Sequence, residues 1–130
     1  MSKKRAAFPP NERLSRKCHV DSLFQKGASF VAYPLRVIYL PIDKEWAEAD
    51  VALLVSVSKK KLKHAVDRNY IKRRVRESYR LRKHDLLLRY AGMDKKLLIA
   101  FLYLDNTKAS YEKIDQAMTK AMHTLQEKSE

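Results

Sequence analysis

Glycine is almost missing from this chain: Gly27 and Gly92 are the only two among 130 residues. A loop that cradles phosphates on backbone N–H groups needs several closely spaced glycines, so a nucleotide-binding loop of that kind is excluded. Cysteine is scarcer still. Cys18 stands alone, which rules out an intrachain disulfide and a thiol-built zinc site, and with no disulfide to keep oxidised a cytoplasmic setting is expected. Long apolar runs are missing too. The longest covers residues 97–104, enough for a buried strand and far short of the ~20 residues that cross a bilayer, so no membrane association is expected. The basic stretch MSKKRAAFPP leads into no apolar segment and is not expected to be a secretory signal.

Acidic residues are also few, 15 against 28 lysines and arginines, for a formal net charge of +13. The imbalance is local. Residues 59–83 hold twelve basic side chains and two acids, a net +10, and residues 3–17 add +5, leaving −2 for the rest of the chain. A surface charged only for solubility would not need such concentration, and a polyanionic partner is expected.

Residues 1–12, with Pro9 and Pro10, are expected to form a flexible basic arm ahead of one domain at 13–130. A short helix is predicted at about 20–26, stopped by Gly27. Residues 30–40 are β-branched and aromatic, with Pro34 marking an edge, a bulge or a break between two short strands. Residues 43–50 are acidic and irregular and are expected to form a loop. Val51, Leu53, Val55 and Val57 alternate as one face of a strand, and residues 97–104, apolar on both faces, predict a central strand. Ser110 can cap a last helix in which Ile114, Ala117, Met118, Ala121, Met122 and Leu125 make one stripe. The order is α-β-β-β-α-β-α, an α+β fold with a single small mixed sheet of about four strands packed by helices.

The basic segment is the strongest helix signal, with neither Gly nor Pro between Ala65 and Gly92. At ~100° per residue, Arg68, Asn69, Lys72, Arg73, Arg76, Arg80 and Lys83 share one arc, while Ile71, Val75, Ser78 and Leu81 share the opposite one and are expected to dock on the sheet. Arg74 falls outside the cationic arc. Like charges four apart cost a helix a few tenths of a kcal/mol per pair, and Arg68, Lys72, Arg76 and Arg80 stack three such pairs. A nucleic-acid backbone would repay that cost through counterion release. Asn69, at the centre of the arc, can bridge a sugar or phosphate and a base edge. Ser56, Lys59 and Lys60 precede the helix and can extend the patch.

No catalytic residue is expected on the protein. His19, His64, His84 and His123 lack ligand spacing, and the acids form neither D-x-D nor H-E-x-x-H, so no metal or other cofactor is expected on the chain itself.

The run S-V-S-K-K (56–60 with Ser58), then A-V-D-R-N-Y-I-K-R-R-V-R-E (65–77), resembles the ribonuclease P protein family of bacteria, and R-L-x(9)-F-x-x-G at Arg13, Leu14, Phe24 and Gly27 extends the likeness. The resemblance implies a ribonucleoprotein endonuclease that removes the 5′ leader of precursor tRNA, with magnesium and the chemistry on the RNA subunit. It implies that Arg68, Asn69, Lys72, Arg73, Arg76 and Arg80 face that RNA; no obligatory protein partner is inferred. It also implies a left-handed strand-helix-strand crossover, and a leader cleft between the first helix and the sheet. Phe24 matches an aromatic leader contact, Val20 stands where the family often has another aromatic, and Tyr33, Arg36 and Tyr39 are expected to line the same cleft. The turn K-K-K-L-K-H is one residue longer than the family's and lacks its glycine. Rival expectations are a ribosomal-type structural protein or RNA chaperone, and a DNA-binding protein with the basic helix in a major groove.

Overall fold

A computed structural model of the protein describes residues 17–43 and 50–128. The expected basic arm and most of the expected acidic loop lie outside them. The elements are α1 (Lys17–Lys26), β1 (Ala28–Ala32), β2 (Leu35–Asp43), β3 (Val51–Ser56), α2 (Ala65–Tyr90), β4 (Lys95–Tyr103) and α3 (Tyr111–Lys128), the order the sequence predicts. Pro34 sits in the turn of the β1–β2 hairpin, so of the three roles open to it the structure takes the break between strands. Among the described residues no helix is long and apolar enough to cross a membrane.

The sheet order is β1-β2-β4-β3. β4 runs antiparallel to β2 and parallel to β3, and a parallel pair needs a crossover, which α2 supplies. Alternation along the strands gives each face its own core. Leu35, Val37, Leu53, Val55, Ile99 and Phe101 face α2 and α3, while Ile38, Leu98 and Ala100 face α1 and its buried Leu23. β4 is apolar on both faces because both cores use it.

α2 buries Ile71, Val75, Ser78, Tyr79, Leu86 and Tyr90. Leu81, expected in the docking stripe, is 56% exposed, and Tyr79 takes the buried place. The reason is geometric. The buried positions advance mainly by fours, and a step of four turns 400°, so the stripe drifts round the helix away from Leu81. α3 starts as predicted, with Ser110 Oγ accepting the Lys113 N–H at 3.2 Å, and its whole predicted stripe is buried.

One polar clamp joins the two helices. The Asp115 carboxylate accepts from the buried Ser78 hydroxyl at 2.6 Å and from Arg82 Nη2 at 2.6 Å, while Arg82 Nε reaches Thr119 Oγ1 at 2.9 Å. Asp115→Ala strands the buried Ser78 hydroxyl and leaves Arg82 with Thr119 alone of these two partners, and the expected loss is about 1–3 kcal/mol. Urea denaturation measures it, and an unshifted midpoint would show that the clamp contributes nothing.

Candidate nucleic-acid interface

Two surfaces meet at one end of the sheet. The first is the sheet face that α1 only partly covers. Counting ~100° per residue, Leu23 points into the sheet, with His19, Ser22 and Lys26 on one flank of α1 and Val20 and Phe24 on the other. The His19 flank borders a pocket over the end of β2, lined also by Leu40, Ile42 and Asp43. The Phe24 flank therefore looks across β4 toward β3, whose Ala52 and Leu54 are half-buried in the same apolar cluster as Val20. Phe24 itself is 46% exposed, an apolar ring open to solvent on that flank.

The strand register fixes what else lies on this face of the sheet. Val31 pairs with Arg36, Arg36 with Leu102, and Leu102 with Ser56, so these four form one row across the sheet on the α1 side. Arg36 is exposed and Ser56 half-buried, which sets a cation and a hydroxyl along an apolar floor. Tyr39 does not belong there. It is an odd number of residues from Arg36 within one continuous strand, so it lies on the opposite face, half-buried and 6.0 Å from the Phe30 ring. Tyr33 stands in the hairpin turn with Lys113 Nζ 5.6 Å from its ring centre.

The second surface is the edge of α2 with the turn that precedes it. After Ser56 the chain turns on Ser58, whose carbonyl accepts the N–H groups of Lys61 and Leu62, both at 3.1 Å. Lys59 and Lys60 are left exposed at the tip, and Leu62 is buried in the core. The longer, glycine-free turn is thus an ordinary one, with no positive φ outside glycine among the described residues. Along α2, Asn69 and Arg73 are exposed, and Lys72 and Arg76 half-buried.

The six predicted cations and their neighbours are not equivalent. Arg80 is held to Glu77 by two bonds, at 3.2 and 2.7 Å, and this bond holds the Glu77 carboxyl below its ordinary pKa. Part of the Arg80 charge is therefore answered within the helix. Arg68 Nη1 donates to the carbonyls of Leu62 at 3.0 Å and Lys63 at 2.8 Å, a contact no helical wheel can show because its acceptors are backbone atoms before the helix. Arg74, off the cationic arc, packs its guanidinium 4.8 Å from the Tyr70 ring centre, with Lys108 Nζ 5.1 Å from the same ring. Among the described residues no group of three or more His, Cys, Asp or Glu is placed to hold a metal ion.

Residues 8–126 match the protein-family model described as Ribonuclease P. The chain is 38% identical over 114 residues to the ribonuclease P protein component of Porphyromonas gingivalis, covering 86% of this chain and 81% of that one. It is 39% identical over 111 residues to the protein of the same name from Chlorobaculum tepidum, covering 79% and 71%. The fold is similar to that of the Staphylococcus aureus RNase P protein, with a TM-score of 0.69 at 22% identity over 88% of this chain and 94% of that one. It is also similar to that of the Thermotoga maritima RNase P protein, with a TM-score of 0.62 at 20% identity over 85% and 94%.

Proposed function

Because the chain belongs to the ribonuclease P protein family, we propose that it binds the RNA subunit along α2 and the 5′ leader of precursor tRNA in the groove beside α1. In that role it assists the endonucleolytic removal of the leader. The observation that supports this best is the continuity of the two surfaces. Ser56 ends β3 inside the groove, and the next turn carries Lys59 and Lys60 round the strand end to Asn69 and Lys72 on α2. A polyanion can follow cations and hydroxyls along that whole path.

The division of labour follows from the side chains. A single strand is held by stacking and by a cationic track. Phe24 offers the stacking face, Val20 and Leu102 the apolar floor, and Arg36 with Lys59 and Lys60 the charge. Arg73, Lys72 and Arg76 lie along the other surface for the folded RNA, whose phosphates they screen. Magnesium would be held by the RNA subunit, and the chemistry it would supply there is water activation and charge stabilisation. This chain's residues bind and orient.

The test is cleavage of a precursor tRNA by a bacterial ribonuclease P RNA at low magnesium. Addition of the protein is expected to restore cleavage, and failure to do so would overturn the proposal. A general RNA chaperone would share the charge but gain nothing from the leader. Stacking is worth about 1–3 kcal/mol per base, so Phe24→Ala is expected to lower the preference for precursor over mature tRNA about tenfold. Equal loss for both substrates would instead assign Phe24 to packing.

A further inference from the structure

The motif arginine that opens α2 is engaged with the protein before any RNA arrives. Arg68 Nη1 donates to the Leu62 and Lys63 carbonyls, and these are the last backbone acceptors of the turn that presents Lys59 and Lys60. The turn is otherwise held by Ser58, whose carbonyl takes the Lys61 and Leu62 N–H groups and whose hydroxyl lies 3.3 Å from the Lys61 nitrogen, and by Leu62 in the core. It has no glycine and no proline to fix its shape. We infer that Arg68 is a positioning residue: its guanidinium locks the 58–63 turn against α2, so that the lysines of the turn and the cations of the helix form one rigid track.

Two consequences separate this from a direct phosphate contact. A phosphate answers to charge, which lysine also carries. The carbonyl pair answers to reach and direction: both bonds come from Nη1, at the end of a stem longer than lysine's and with its N–H bonds fixed in the guanidinium plane. Hydrogen bonds from a charged donor are strong enough that their loss loosens the turn on the order of tenfold.

The test has two arms, and only the second rests on the function proposed above. In the free full-length chain, hydrogen exchange is followed at the Lys61 and Leu62 amides and at those of β4. Arg68→Lys and Arg68→Ala are both expected to exchange the turn amides about tenfold faster while β4 keeps its protection, and Lys72→Ala is expected to leave the turn unchanged. Turn amides that stay as protected as in the wild type, or that loosen only together with β4, would overturn the inference. In the second arm, binding to ribonuclease P RNA is measured. Arg68→Lys is expected to bind as weakly as Arg68→Ala, whereas restoration of wild-type affinity by lysine would make Arg68 a phosphate contact and overturn the positioning role. A wild-type chain that fails to bind this RNA sinks the proposed function, and the exchange arm then decides the role of Arg68 alone.

Discussion

Lys72→Ala combined with Arg73→Ala is expected to weaken binding to ribonuclease P RNA about sixtyfold at 0.1 M salt. The estimate follows from counterion release. Each neutralised phosphate contributes a slope of about 0.9 in log affinity against log salt, or roughly eightfold at that concentration, so two lost contacts multiply to about sixty. These two residues are the informative pair. Arg68 is bonded to backbone carbonyls and Arg80 to Glu77, so their loss would mix electrostatics with local rearrangement. Arg73 is exposed and Lys72 half-buried on the open edge of α2, and both can be truncated with little change to the core. Binding isotherms across a salt series should show the slope reduced by about two. A weaker affinity with an unchanged slope would mean that neither side chain meets a phosphate.

Gly27→Ala is the second large effect, and it acts on the groove rather than on the charge. A Cβ at Gly27 would stand 2.5 Å from the Leu23 carbonyl oxygen, 2.8 Å from Ile38 Cγ2 and 3.0 Å from the Tyr39 carbonyl oxygen. Two of those atoms are backbone and cannot swing away: Leu23 belongs to α1 itself and Tyr39 to β2, so the last turn of α1 must distort as well as shift on the sheet. Overpacking of this kind costs about 3 kcal/mol. Thermal or urea denaturation reads that loss. Below the melting range the variant is expected to lose its preference for precursor tRNA while keeping most of its affinity for the RNA subunit, because α2 lies on the other side of the sheet. Unimpaired stability would mean that α1 accommodates the methyl group without moving.

Much of this was legible in the residues. The element order followed from periodicity and from two scarce punctuators, Gly27 and Gly92, the second of which takes φ +77° just past the end of α2. The cations of α2 announced themselves by count. What escaped were relations between elements. Arg36 and Tyr39 could be assigned to one cleft only while the strand around Pro34 was unplaced, and once β2 runs unbroken from Leu35 to Asp43 their odd spacing puts them on opposite faces. Leu81 fits a wheel drawn for a helix on a flat sheet. The real helix packs on both a sheet and α3, and the buried stripe follows Tyr79 and Leu86 instead. The Arg68 contact was hidden for a simpler reason, since backbone acceptors leave no mark in a sequence.

The place of β4 in the sheet has a consequence in time. It pairs with both β2 and β3, which do not touch each other across the sheet, and it supplies side chains to both apolar clusters. It is also the last of this sheet's four strands to be synthesised. Until residue 103 has emerged, the β1–β2 hairpin with α1 and the β3–α2 unit share no strand pairing, and each displays an apolar face with nothing to cover it. The cationic helix is complete by Tyr90, but the row that joins Arg36 to Ser56 exists only after Leu102 is laid between them. A nascent chain can therefore carry its basic helix before it has the row that joins Arg36 to Ser56.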